Sequence, residues 1–181
     1  MRSLLGALLL LAAPASAGIL VEGRLEGQPL RIEVGALADR VVVTLAGERR
    51  VLSLGQPPAP PSEFRLVAWS AGPLVSGYGS TYHVLTRDAA ICAEVLAAPW
   101  MTPFLRPAVA ALALLQTQEP ALAPVPRDGC GPLPFTLLAL SGWPLFAGWK
   151  DAALFETTRL DFAHPSPPEL QLRASTPDRP H

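Results

Sequence analysis

Between residues 19 and 54 apolar and polar side chains alternate with a period of two, and turn-forming residues interrupt the alternation at short intervals. In PLRIEV, Leu30, Ile32 and Val34 fall on one face, and Arg31 and Glu33 on the other. ILVEGRLE, RVVVTLA and RRVLSL follow the same scheme, with reversals at Gly27-Gln28, at 35–39 and at Ala46-Gly47-Glu48. Successive side chains of a strand point to opposite faces, so this pattern predicts a β-meander with one wet face and one buried face. QPPAPPSE (56–63) then reads as a semi-rigid polyproline connector. Two further strands are predicted at 64–69 (FRLVAW) and 82–86 (YHVLT), separated by the Gly/Ser-rich loop SAGPLVSGYGST. That loop does not qualify as a phosphate cradle, because a strand-like segment follows it where a helix N-terminus is needed.

The period changes after residue 99. Thr102 is a capping residue and Pro103 suits a first helical position, whereas Pro107 lacks the N–H that a helix interior requires. The expectation is a short turn followed by a helix over 107–118, with Val109, Leu112 and Leu115 on one stripe. Ala108, Ala110, Ala111 and Leu114 leave it almost no polar face, so it must be covered on more than one side, as by a sheet that curls around it.

The uncharged run GPLPFTLLALSGWPLFAGW (131–149) poses a choice between membrane span, core and ligand-lining segment. A span needs about twenty apolar residues in a regular helix, and Pro132, Pro134, Gly142, Pro144 and Gly148 interrupt this one. The segment 135–140 is therefore predicted as a buried strand, with Phe135, Leu137 and Leu140 inside. A turn at Ser141-Gly142 and a strand beginning at WPLFAGW follow. Tryptophan joins a large apolar body to an N–H that seeks a partner, which places Trp143 or Trp149 at the mouth of the gap between helix and sheet. ALFETTRLDFAH alternates clearly and switches facing late, the mark of a β-bulge. ELQLR is read as closing the sheet, and 174–181 as a disordered tail. The predicted fold is mainly β (α+β): a curved antiparallel sheet, half-barrel-like, with one apolar helix on its concave face. Any apolar pocket between them would be lined by Val109, Leu112, Leu115, Trp143 and Trp149.

The N-terminus changes where this domain is expected to work. MRSLLGALLLLAAPASA has a positive Arg2, an apolar stretch over 4–13 and small residues at Ala15-Ser16-Ala17, the three parts of a secretory signal peptide cleaved before Gly18. Ten apolar residues rise only about 15 Å as a helix, half a bilayer core. The expected organisation is signal peptide 1–17, one β-rich domain over 18–173 and the tail, in the periplasm or secreted, with no transmembrane segment in the mature chain. In that compartment the two cysteines, Cys92 and Cys130, read first as a disulfide, ahead of a metal site or a reactive thiol. Charge is balanced, with Lys+Arg 14 against Asp+Glu 15, so no basic field for nucleic acid is present.

Candidate chemistry is sparse. His83, His164 and His181 have no partners at metal-ligand spacing, no G-x-S-x-G elbow is present, and the acidic residues fall on solvated strand faces. No catalytic, cofactor-binding or metal-binding residue is assigned. The order of elements carries the remaining signal: a leader, an antiparallel meander, a central helix, the strand-turn element SGWPL and the long strand ALFETTRLDF. In this order the chain resembles the periplasmic lipoprotein-carrier superfamily of LolA- and LolB-type proteins. The resemblance implies a half-barrel over an apolar cavity and a lipid or lipoprotein as partner; it carries over no binding residue, and the cysteine pair is not part of its pattern. The leading expectation is thus a non-catalytic exported protein binding an apolar ligand or lipidated partner. The alternatives are an envelope structural or interaction module with a filled core and, third, a secreted enzyme.

Overall fold

The computed structural model describes residues 17–36, 38–120, 124–126, 129–150 and 152–170. Residues 1–16 of the expected signal peptide 1–17 and the expected tail 174–181 lie outside the described residues. The meander forms β1 (Ala17–Leu25), β2 (Gln28–Val34), β3 (Arg40–Leu45) and β4 (Glu48–Ser53). Glu26-Gly27 and Ala46-Gly47 both have positive φ, the geometry of tight two-residue hairpins. Past the proline connector come β5 (Phe64–Ala71), β6 (Thr81–Arg87) and β7 (Ala90–Ala98). After the helical region, β8 (Trp143–Trp149) and β9 (Ala152–Pro165) complete an antiparallel sheet of nine strands in the order β4-β3-β2-β1-β9-β8-β7-β6-β5. The sheet is not closed: β4 and β5, consecutive in the chain, are its two edges.

A 3-10 turn (Pro99–Met101) leads into helix α1 (Thr102–Gln118), which packs against β2, β3 and β8. The sheet curves toward this helix. From the β5–β6 loop at one edge, Ser76 and Tyr78 donate hydrogen bonds to the Thr157 and Leu160 carbonyls of β9, three strands away in the sheet order. The inner face and α1 share one core, in which Val21, Ile32, Val43, Leu85, Val95 and Leu145 meet Leu105, Val109, Leu112 and Leu115.

Four sequence expectations need correction. Helix α1 does not start at Pro107 but runs through it. Pro107 lies inside the helix, so its missing N–H leaves the Pro103 carbonyl without its i→i−4 donor; burial of Leu105, Ala108 and Val109 outweighs that one absent bond. The segment 135–140 is not a strand. Phe135–Leu138 forms one short helix, α2, whose Leu137 and Leu138 amides donate to the Pro134 carbonyl. Phe135 and Leu138 plug the core, but Leu140 is 74% exposed. Glu169 and Leu170, expected in a closing strand, belong to a 3-10 turn (Pro168–Leu170), and 171–173 lie outside the described residues. Strand β7 was not anticipated at all: AICAEVLAA is alanine-rich, and its entry turn Asp88-Ala89 holds two non-glycine residues at positive φ.

The late change of facing in the last strand is observed, as a register shift of β9 against β1 between Thr157 and Arg159. In SGWPL, Gly142 has φ of 141°, and a Cβ there would stand 2.5 Å from the Ala98 carbonyl carbon. Only glycine lets the chain pass from α2 into β8 so close to the end of β7.

Candidate binding site

Two cavities flank α1. The first is a groove of about 600 Å³ on its outer side. One wall is the connector, through Leu54, Pro57, Pro58 and Pro60; the floor is Val109 and Ala110 of α1; the far wall is Ala139 and the exposed Leu140 after α2. Proline lacks the N–H that would pair with a strand edge, so the connector contributes ring carbons here rather than a tenth strand. The one charged side chain of this lining is Arg106. It is exposed, and among the described residues no carboxylate pairs with it.

The second cavity, of about 390 Å³, lies between α1 and the sheet at the helix C-terminus. Leu25, Val43, Leu45 and Leu115 make its apolar surface, and Glu26, Gln28, Glu48, Arg50 and Glu119 its rim. Arg50 donates to Glu48 at 2.6 Å and also pairs with Glu119.

The expected lining residues thus separate. Val109 faces the groove and Leu115 the helix–sheet pocket, while Leu112 is spent in the core. Trp143 is not at a mouth: it is fully buried, edge-to-face with Phe155, which in turn packs edge-to-face on Phe135. Its N–H finds the partner inside, donating to Thr157 Oγ1 at 2.9 Å. Trp149 is half-buried at the end of β8 and lines neither cavity. Sequence reasoning missed Arg106 and the connector walls. Their available signal was a proline-rich, uncharged stretch beside a helix without a polar face.

A third feature is an exposed aromatic cluster. Trp100 and Phe104 at the start of α1 lie 6.4 and 6.0 Å from the Phe162 ring of β9, and Tyr78 lies 6.4 Å from Trp100. Trp100 and Phe104 are each 54% exposed.

Other ionisable groups pair with one another on the sheet. Glu33, on the outer sheet face, accepts hydrogen bonds from Arg49 at 2.7 Å and Arg31 at 3.0 Å, with His164 Nε2 at 3.3 Å. Burial acts to raise the Glu33 carboxyl, but the hydrogen bonds from Arg49 and Arg31 outweigh it and hold the group below its ordinary value. Arg49 also pairs with Glu169 at 3.1 Å, fastening the C-terminal 3-10 turn over this face, where Leu170 packs on Gly35. His83 lies on the same face of β6 as Leu85 and is buried, and its Nε2 has no partner among the described residues; burial pushes its pKa down. Cys92 and Cys130 form a disulfide with Cα atoms 5.7 Å apart, tying β7 to the segment before α2, so neither sulfur is a free thiol. Among the described residues no group of three or more His, Cys, Asp or Glu converges as a metal site, and no helix is long and apolar enough to cross a membrane.

No family model, curated protein or solved structure matches this chain.

Proposed function

We propose that the protein is a non-catalytic exported binding protein whose groove between connector, α1 and α2 takes the acyl chain of a lipid or lipidated partner. One observation carries this reading: a groove of about 600 Å³ walled by proline rings and aliphatic side chains, whose single charged lining residue, Arg106, pairs with no carboxylate among the described residues. A concave, largely apolar site with a few placed polar groups is the usual form of a small-molecule site. An acyl chain would lie along Val109 and Ala110, and Arg106 would meet an acidic or phosphate headgroup by charge-assisted hydrogen bonds. The lipoprotein-carrier resemblance supports the same class of ligand, with one difference. Here the groove lies outside the sheet–helix interior, which side chains such as Trp143 and Phe135 fill.

The test is displacement of a dansylated fatty acid by palmitate. Wild type should bind the probe and release it to palmitate, and Ala110→Phe, which fills the floor from a helical position, should abolish binding while keeping the wild-type melting temperature. A wild type that does not bind, or an Ala110→Phe protein that binds equally, would remove the groove reading. Export is tested separately: the mature chain should begin at Gly18.

The aromatic cluster favours a second reading, an interaction module. Aromatic side chains are enriched where proteins meet partners, and Trp100, Phe104 and Phe162 stand exposed together. Under that reading Trp100→Ser would abolish partner binding and leave acyl binding unchanged.

A further inference from the structure

We infer that the pocket of about 390 Å³ at the C-terminal end of α1 is a second site, for a ligand of opposite sign: an organic cation with an apolar body, such as an alkylammonium. Its apolar surface is Leu25, Val43, Leu45 and Leu115, from β1, β3 and the last turns of α1. Transfer of a short alkyl chain from water onto such a surface is favourable.

Two independent features set the sign. The rim brings Glu26, Glu48 and Glu119 together around a single cation, Arg50, so it keeps an excess of negative charge after Arg50 has paired with Glu48 and Glu119. The helix end adds to this. The final carbonyls of a helix carry partial negative charge that basic residues in the last turn commonly offset, and the last turn of α1 has none. Arg50, reaching from β4 to the helix C-cap residue Glu119, is the only cation in the lining. An alkylammonium would place its charge in that same field with its chain on Leu45 and Leu115. The site is independent of the groove: the two lining sets share no residue.

The probe is hexyltrimethylammonium, titrated calorimetrically into the purified protein, with hexanoate as the matched anion. The cation should bind and hexanoate should not. Glu26→Gln lies in an exposed turn, leaves the core intact and should weaken the cation by about tenfold through loss of charge–charge attraction. Leu45→Phe, which fills the pocket, should abolish binding, and Ala110→Phe in the groove should leave it unchanged. Equal binding of hexanoate, or cation binding indifferent to both Glu26→Gln and Leu45→Phe, would overturn the assignment. Should Leu45→Phe misfold, the Glu26→Gln result decides alone.

Discussion

Thr157→Val is the sharpest test of how the interior holds together. Thr157 is fully buried on β9 and faces β8, where its hydroxyl accepts a hydrogen bond from Trp143 Nε1 at 2.9 Å and donates one to the Pro144 carbonyl at 3.0 Å. Valine keeps the shape and removes both bonds. It leaves a buried indole N–H and a carbonyl without partners, in a region where Trp143 itself is 0% exposed. Each orphaned group costs about 1–3 kcal/mol, which puts the loss near ~3 kcal/mol for the pair. For a domain of this size that lowers the melting temperature by about 6–12 °C. Thermal and urea unfolding followed by circular dichroism and tryptophan fluorescence measure it, and the urea slope should not change, because the surface exposed on unfolding does not. Thr157→Ser keeps the hydroxyl and should recover most of the loss. In the double variant Trp143→Phe with Thr157→Val the N–H is gone as well, so its cost should fall short of the sum of the singles by ~1 kcal/mol or more. A Thr157→Val protein within ~1 kcal/mol of wild type, or strictly additive singles, would refute the reasoning.

Three further outcomes follow from the same geometry. Replacing Cys92 and Cys130 together by alanine opens a loop of sequence separation 38 and should cost about 4 kcal/mol in the chain-entropy estimate, read from urea midpoints with and without reductant. Buried His83 has its pKa below the ordinary 6.5, so its neutral form is favoured by the folded state. The stability it contributes is complete above pH 6.5 and is lost as pH falls through its folded value; His83→Leu should flatten the stability profile just below 6.5, and an unchanged profile would count against this. Glu33, held below 4.5 by Arg49 and Arg31 against burial, contributes stability that is present above that value and lost as pH falls through the lower folded one. Glu33→Gln should therefore destabilise the protein at pH 7 and reduce its acid sensitivity below pH 4.5, as followed by melting temperature across pH.

Legibility tracked how much of a segment's fate was local. The meander was readable because period two, Gly27 and Gly47 act within a few residues, and β1 to β4 follow them. The late bulge in β9 was readable for the same reason. Strand β7 was not, because alanines neither alternate nor favour strands; its place is set by β6 and β8 on either side. FTLLAL reads equally as buried strand or buried helix, since a short apolar run has no period to decide it. In the fold it is a helix, the Pro134 carbonyl accepting from the Leu137 and Leu138 amides three and four residues on. Trp143 was assigned to a boundary on the ground that its N–H needs a partner. The need was correct, and the partner, Thr157, lies fourteen residues away in sequence on the neighbouring strand. The cavities were least legible of all, because Arg106 and Pro58, or Arg50 and Glu119, meet only through the tertiary fold.

The connector shapes the groove because it has to join the two edges of an open sheet. Nine strands give eight lateral spacings, and at about 4.8 Å each a flat sheet would set β4 and β5 about 38 Å apart. The chain from Ser53 to Phe64 covers about 34 Å as polyproline. It can join the two edges only if the sheet curls, and it does so while running beside α1 and α2 rather than straight across. A connector with free amides could extend either edge strand and draw the sheet toward closure. Proline at 57, 58, 60 and 61 removes those donors. The edges stay apart, α1 packs on β2, β3 and β8 and α2 on β5, and the seam between the two helices and the proline rings is left as an apolar groove. The same composition that makes this stretch uninformative about strands and helices is thus what creates the surface on which the proposed acyl ligand depends.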